Sequence, residues 1–218
     1  MELNAINGAS TYIIQSQDEE IKRIALELHE GISQNLFSVF TGLEVLQNNM
    51  TNPDMASYAQ ELKDIMSRTI QEVRLLSVEL YPTTLTTLGL TAALSSYIKL
   101  YTSTFGIIVE IISNGKEKTI SEGKSMALFR SCQEALINIA KYADTANAKI
   151  VFTWNQDSLT IEIEDIGKGF NIEAVTAGNS CKGIAAMKER MFIAGGNFQL
   201  FSTIGKGTKV IFTLPISC

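Results

Sequence analysis

Residues 19–49 read EEIKRIALELHEGISQNLFSVFTGLEVLQNN, and their apolar residues recur at steps of three and four. This spacing places one apolar stripe along an α-helix. The members of the stripe are Ile21, Ala25, Leu28, Ile32, Leu36, Val39, Leu43 and Leu46. The pattern therefore predicts one amphipathic helix that is longer than most helices of globular domains.

A turn and a second amphipathic helix follow. Thr51-Asn52-Pro53-Asp54 breaks the first helix, because proline disfavours helix at the residue before it and Asn and Asp favour turns. The second helix carries its own apolar stripe, which consists of Leu62, Ile65, Thr69, Val73, Leu76 and Leu80. Pro82 ends it. A single hairpin cannot bury its outer stripe, so we predict a homodimer through residues 19–80 in which two hairpins form a four-helix bundle.

The pattern after Pro82 is that of an α+β domain. Helical spacing alternates with short runs rich in β-branched residues. The predicted helices are 88–101, 121–143 and 183–194, and the predicted strands are 107–112, 149–154, 159–164, 197–202 and 209–214. We expect a mixed or antiparallel sheet that helices cover on one face.

Composition excludes several classes of protein. The chain has 218 residues, 45% of them hydrophobic, and a net charge of -5, so it can bury a core and lacks a broad basic face for nucleic acid. Its three cysteines form no CxxC pair, which argues against a disulfide framework or a zinc site. No apolar run reaches the roughly 18 residues of a membrane span, and the start lacks a signal-peptide pattern. We expect a cytoplasmic chain, complete or the soluble end of a longer membrane receptor.

The only histidine of the chain, His29, lies in the first predicted helix beside Glu30. A neutral imidazole is a competent nucleophile near neutral pH, and Glu30 could accept its Nδ1 proton and sharpen Nε2 for attack. Gln34 lies four residues beyond Glu30, on the same face, where an amide could orient a water for hydrolysis of a phosphoryl group. The alternative is a surface histidine beside a surface glutamate, and this motif alone favours that alternative.

A second motif lies in the helix predicted over 121–143. Glu134, Asn138, and Lys141 with Tyr142 share one helix face. A carboxylate beside a side-chain carbonyl suits Mg²⁺, which takes few protein ligands together with phosphates, and Lys141 could add charge for those phosphates. The alternative is an ordinary exposed polar face, which this spacing cannot exclude.

Three glycine motifs follow. Asp165-Ile166-Gly167-Lys168-Gly169 comes directly after a predicted strand, where the Asp could accept a hydrogen bond from an exocyclic amine such as that of adenine. Lys182-Gly183 begins a predicted helix, whose free N–H groups bind anions. Gly205-Lys206-Gly207-Thr208 lies between two strands and by itself predicts a hairpin turn.

The order of these motifs is more specific than any one of them, and it resembles the sensor histidine kinases of the DesK-like and nitrate-sensor-like subfamily. Residues 72–90, EVRLLSVELYPTTLTTLGL, are similar to that subfamily's second helix and linker. The resemblance extends over about residues 19–215. It implies an N-terminal tail over 1–18, a dimeric histidine-phosphotransfer hairpin over 19–82, and an ATP-binding catalytic domain of the GHKL type, an α/β sandwich, over 83–218.

The resemblance also implies roles for the hairpin residues. His29 is expected to be the phosphoacceptor, Glu30 its general base, and Gln34 the amide that positions water for a phosphatase reaction. The expected partners are a second copy of the chain and a response regulator, whose receiver aspartate takes the phosphoryl group. No direct nucleic acid partner is expected, and a membrane only through a sensor region that this chain lacks.

For the catalytic domain the resemblance implies ATP and Mg²⁺. Asn138 is expected to hold Mg²⁺, with Glu134 acting on it indirectly, and Asp165 is expected to read adenine. The remaining expected nucleotide-binding residues are Lys141, Tyr142, Gly167, Gly169, Lys182, Gly183, Gly205, Gly207 and Thr208. Pro82 with Thr83–Thr87 is the expected hinge between the two domains.

The chain departs from the family pattern at four positions. Tyr142 stands where His is common, Ile166 where Asn is common, and Cys181 and Ala186 where Gly is common. A Cβ at position 181 would crowd an approaching phosphate. The alternative function is therefore a catalytically weak nucleotide-binding regulator that docks a receiver domain. An anti-sigma-factor serine kinase lacks the hairpin, and a structural coiled coil would leave the glycine motifs unexplained.

Overall fold

The computed structural model describes residues 20–176 and 182–216. They divide into two compact units between Pro82 and Thr83. The first unit is a helical hairpin and the second an α/β sandwich, as the sequence predicts. No helix within the described ranges is both long and apolar enough to cross a bilayer.

Two antiparallel helices form the first unit. Helix α1 covers residues 20–48 and contains a π-helical turn, Glu27–Ile32, followed by the α-helical segment Ser33–Asn48. Helix α2 is Pro53–Leu80, and it begins earlier than its apolar stripe indicates. The side chain of Asn52 caps it by accepting hydrogen bonds from the N–H groups of Asp54 and Met55, at 2.9 and 3.3 Å. Pro53 therefore starts α2 as well as ending the turn.

The predicted stripe of α1 divides between two faces. Ala25 is buried and Leu36 and Leu43 are half-buried, whereas Ile32, Val39 and Leu46 are exposed. The π turn contains one residue more than an α-helical turn, so it shifts the face that meets α2 by one position. Helix α2 also has exposed apolar side chains, namely Tyr58, Ile65 and Leu76. The isolated hairpin thus leaves an apolar face uncovered.

The second unit begins with two helices, α3 (Thr83–Leu88) and α4 (Leu90–Phe105). The remaining elements are β1 (Ile108–Asn114), α5 (Glu122–Asn138) with a π-helical turn over Ile139–Ala143, β2 (Asn147–Trp154), β3 (Ser158–Asp165), α6 (Ile172–Thr176), α7 (Lys182–Ile193), β4 (Asn197–Thr203) and β5 (Gly207–Pro215).

The segment Thr83–Thr87, expected to belong to a hinge, is helical. It forms most of α3, in which Leu85 is buried and the hydroxyls of Thr86 and Thr87 donate to the Thr83 carbonyl. Only Tyr81 and Pro82 separate α2 from α3. Threonine is a poor helix former in isolation, and the burial of Leu85 explains why a helix forms here nonetheless.

The sheet has five strands in the order β1-β2-β3-β5-β4. β1 is parallel to β2 and the other neighbours are antiparallel, so the sheet is mixed. Along β3 the buried residues Leu159, Ile161 and Ile163 alternate with more exposed ones, as the sequence predicts for a strand with one covered face. The largest buried side chains of this unit are Tyr97, Tyr101, Phe129, Phe152 and Phe212.

Candidate functional site

A cavity of about 650 Å³ lies within the second unit, between α5, the end of β3, the start of α7 and strands β4 and β5. Nine of the residues singled out in the sequence line it. They are Glu134, Asn138, Lys141, Tyr142, Asp165, Gly169, Lys182, Gly183 and Thr208. Residues distant in sequence therefore converge on one site whose size suits a small-molecule ligand.

The polar wall of the cavity comes from α5 and its π turn. Glu134 and Asn138 lie one helical turn apart and both are half-buried. Asn138 is the last α-helical residue, and the π turn after it carries Lys141 and Tyr142 along the same cavity. A carboxylate and an amide oxygen at this spacing form a partial ligand set for a divalent cation that also binds phosphates.

Asp165, the last residue of β3, is 4% exposed. Its Oδ1 accepts a hydrogen bond from the N–H of Gly167 at 2.8 Å, and the N–H of Thr208 also donates to this carboxylate. Burial raises the pKa of Asp165, and these two bonds oppose the shift without cancelling it. A buried acceptor is thus fixed in direction at the apolar inner wall of the cavity.

The raised pKa of Asp165 predicts how it affects stability. In the interval between its ordinary and its raised pKa, the folded chain binds more protons than the unfolded chain, so Asp165 contributes more stability as pH falls. Denaturant unfolding of the wild type and of Asp165→Asn over a pH series measures this contribution. The wild type is expected to gain stability relative to the variant on acidification, and a difference that stays constant or changes the other way would contradict the assignment.

Three glycines near the cavity allow chain segments to touch. A Cβ at Gly167 would lie 2.1 Å from the carbonyl oxygen of Ala143, at the end of the π turn. At Gly169, φ is +57° and a Cβ would lie 2.0 Å from the carbonyl oxygen of Thr203. Gly207 makes the equivalent approach to Asp165. Gly167 and Gly207 do not line the cavity, so their positions explain them as contacts between the loops that shape it.

Gly205 and Gly207 provide a matched pair for testing this role. Both have positive φ, +77° and +84°, but a Cβ at Gly205 would meet open space, whereas at Gly207 it would lie 2.0 Å from the carbonyl oxygen of Asp165. Gly205→Ala is expected to cost about 1 kcal/mol from backbone strain alone. Gly207→Ala adds the clash and is expected to cost roughly 3 kcal/mol. Denaturant unfolding measures both, and equal losses would contradict the role assigned to Gly207.

Ser202 on β4 is a site residue that the sequence reasoning missed. Its hydroxyl accepts from the N–H of Phe170 at 2.9 Å, donates to the carbonyl of Gly207 at 3.1 Å, and lies 3.0 Å from the hydroxyl of Thr208. It therefore connects the loop after Asp165 to the β4–β5 hairpin. Its pairing opposite Thr208 could be found only from the strand register.

The start of α7 packs closely against α5. A Cβ at Gly183 would lie 2.0 Å from Oε1 of Glu134, so only glycine lets this carboxylate reach the helix N-terminus. Lys182, the first residue of α7, and Lys168 also line the cavity, and Lys168 is a further residue that the sequence reasoning left out. Together with Lys141 they give the opening three cationic side chains suited to phosphates.

Two of the departures from the family pattern can be located. Tyr142 lines the cavity and is largely exposed, whereas Ile166 does not line it and is 76% exposed. Ala186 lies within α7. Cys181, whose Cβ was expected to crowd a phosphate, lies outside the described residues.

The hairpin motif lies in the other unit. His29 and Glu30 are exposed within the π turn of α1, and Gln34 is exposed in the α-helical segment that follows. The imidazole is thus accessible on the hairpin surface, as its predicted role requires. Gly205, at the tip of the β4–β5 hairpin, is also outside the set that lines the cavity.

Comparison with known proteins agrees with this division. Residues 20–85 match the histidine kinase family, and residues 123–217 match the family of histidine kinase-, DNA gyrase B- and HSP90-like ATPases. The oxygen sensor histidine kinase NreB of Staphylococcus carnosus is 34% identical over 204 residues, which is 94% of this chain and 58% of that protein. The chain thus spans less than two thirds of that relative's length.

Solved structures show the same fold. The histidine kinase domain of the blue-light activated histidine kinase of Erythrobacter litoralis has a TM-score of 0.51 at 15% identity, covering 84% of this chain and 94% of that domain. A larger structure of the same kinase has a TM-score of 0.53 at 14% identity, covering 87% of this chain and 60% of the other. With both domain matches in the family's order and a histidine kinase relative aligned over almost the whole chain, the chain belongs to the sensor histidine kinases of two-component systems.

Proposed function

We propose that this chain autophosphorylates His29 with Mg²⁺-ATP and passes the phosphoryl group to an aspartate on the receiver domain of a response regulator. The observation that carries the proposal is the cavity of the second unit, where Glu134, Asn138 and the buried Asp165 converge. Such a cavity suits a nucleotide, and the exposed His29 supplies an acceptor on the other unit.

The residues around the cavity fit a nucleotide with its cation. The carboxylate of Asp165 is fixed by two backbone N–H groups and can accept a hydrogen bond from the exocyclic amine of adenine. Lys141, Lys168 and Lys182 can bind the phosphates. Asn138 would hold Mg²⁺ through its amide oxygen and Glu134 would act on it indirectly; when bound, Mg²⁺ supplies charge neutralisation for in-line transfer.

On the hairpin, Nε2 of His29 attacks the γ-phosphorus. The new bond joins Nε2 to phosphorus, the bond from phosphorus to the bridging oxygen breaks, and ADP leaves with that oxygen. Glu30 accepts the Nδ1 proton as the ring becomes a nucleophile. We assign Gln34 the orientation of a water that hydrolyses the phosphorylated receiver, which gives the chain a phosphatase activity as well.

The functional unit we propose is a homodimer. The exposed apolar residues Ile32, Val39 and Leu46 of α1 recur every seven positions, the spacing of a helix seam that meets another helix. Ile65 and Leu76 of α2 are exposed as well. A second hairpin would cover these side chains in a four-helix bundle.

We place this reaction in the cytoplasm, where ATP is available, and assign signal detection to a sensor region that the chain does not contain. The relative from Staphylococcus carnosus is described as an oxygen sensor, and that description belongs to the relative. The phosphoryl acceptor we propose is a receiver domain, with no direct contact between this chain and nucleic acid.

Incubation of the wild-type chain with γ-labelled ATP and Mg²⁺ tests the proposal. Label is expected on the protein, and it should be labile in acid and stable in alkali, as a phosphoramidate is. Clear ATP binding by calorimetry without label would instead favour a nucleotide-binding regulator that docks a receiver domain. Neither label nor ATP binding would contradict the nucleotide site itself.

A further inference from the structure

The π turn of α1 contains His29, and its geometry requires support from elsewhere in the hairpin. Its backbone hydrogen bonds span five residues, a spacing that is rarely stable without additional contacts and that recurs at functional sites. Gly31 lies within the turn and weakens the competing α-helical geometry, since glycine is a poor helix former. A π turn in an otherwise regular helix calls for an identifiable cause.

Two serine hydroxyls bond to carbonyls at this turn. Ser33, which ends it, directs both its backbone N–H and its hydroxyl to the carbonyl of Leu28, the hydroxyl at 2.9 Å. Ser77 reaches across from α2, and its hydroxyl donates to the carbonyl of Ala25 at 2.7 Å. Ser33 and Ser77 are only 2% and 4% exposed, so water does not compete effectively for either bond.

The bond from Ser77 acts on the peptide unit one turn before the histidine. In α-helical bonding the Ala25 carbonyl pairs with the N–H of His29, so a second donor at that carbonyl bears directly on where the π geometry begins. Ala25 and Ser77 are both small, which lets the two helices approach closely enough for this bond. It connects α2 to the backbone that precedes His29.

The turn determines which way the following residues face. In an uninterrupted α-helix, Ile32 would share the inner face with Ala25, because seven residues make almost two full turns. Instead Ile32 is 42% exposed and Ser33 is buried. One residue corresponds to about 100° of rotation, so loss of the π turn would redirect the helix on one side of it relative to the other. His29 lies inside this offset.

We propose that Ser77 is a positioning residue for His29: its hydrogen bond to the Ala25 carbonyl holds the π turn that directs the imidazole. The proposal rests on the proposed function, in which His29 accepts the phosphoryl group. Ser77 does not touch the reacting atoms, and it acts through the backbone. Since the nucleotide cavity lies in the other unit, loss of this bond should change the rate of phosphorylation and leave nucleotide affinity unchanged.

The test compares Ser77→Ala with two control variants of the same helix. Thr69→Ala removes a hydroxyl that bonds only within α2, to the Ile65 carbonyl at 3.0 Å. Ile70→Val removes a buried methyl group and controls for lost hairpin stability. His29 is the only histidine, so its ring signals in NMR report the turn without any need for activity.

Ser77→Ala is expected to shift the His29 ring signals and to lower autophosphorylation at saturating ATP about tenfold, with KM for ATP unchanged. Ser77→Thr, which keeps the hydroxyl, should restore most of the rate, and the two controls should resemble the wild type. Ring signals of Ser77→Ala that match those of Ile70→Val, or shifted signals with an unchanged rate, would overturn the proposal. A wild type that takes no phosphate would contradict the proposed function, while the ring signals would still decide the geometric claim.

Discussion

Replacing His29 with glutamine is expected to remove all phosphoryl label from the chain. Glutamine keeps a polar side chain but has no nucleophilic nitrogen, because its amide lone pair is delocalised. The chain has no other histidine that could take over. The variant should bind Mg²⁺-ATP normally, because the cavity lies in the second unit and His29 in the first. Label transfer and calorimetry on the same preparation measure both properties.

Glu27→Gln is the matched control for this substitution. It introduces the same side chain into the same π turn, at an exposed position whose only described ion pair is a long surface contact of 3.6 Å with Arg23. Such a contact contributes little to stability. The control should be labelled like the wild type. Label that persists on His29→Gln would place the acceptor elsewhere and refute the role of His29.

Asn138→Ala is expected to lower the affinity for Mg²⁺-ATP on the order of 100-fold, about 2.8 kcal/mol, and to leave a folded dimer. The substitution removes the amide oxygen that we assign to the cation. Helix formation should not suffer, because alanine is a better helix former than asparagine at the end of α5. Calorimetry measures the affinity, and circular dichroism with sedimentation measures fold and assembly.

The control for Asn138→Ala is Asn197→Ala, the same change at an exposed position that begins β4 and does not line the cavity. Binding of nucleotide in the absence of Mg²⁺ provides a second comparison. If Asn138 acts through the cation, its substitution should matter much less there. Normal Mg²⁺-ATP affinity in Asn138→Ala would show that this helix face is wrongly assigned.

Most of the fold could be predicted from the sequence, because its elements have clean periodicity. The alternation of Leu159, Ile161 and Ile163 indicates a strand with one covered face, and β3 has that burial pattern. Pro82 ends the second helix, as proline is expected to. The order of the motifs also predicted that Glu134 and Asp165 would share a site, and both line the cavity.

The two π turns could not be predicted, because steps of three and four fit several helical phases. Ile32 and Ser33 are adjacent, and only the offset within Glu27–Ile32 decides which of them is buried. The same holds for the glycines. The spacing of Gly167 and Gly207 suggested contact with a ligand, whereas their close approaches are to backbone carbonyls of Ala143 and Asp165.

The central claim is that nucleotide bound by the second unit phosphorylates His29. Phosphorus and histidine-ring NMR of the wild-type chain during incubation with Mg²⁺-ATP tests it most directly, because the chain has one histidine and therefore one set of ring signals. The account predicts a phosphoramidate resonance that grows as the ring signals of His29 shift, and both changes should reverse in acid. ATP that binds in the cavity while the ring signals stay fixed and no phosphoramidate forms would contradict it.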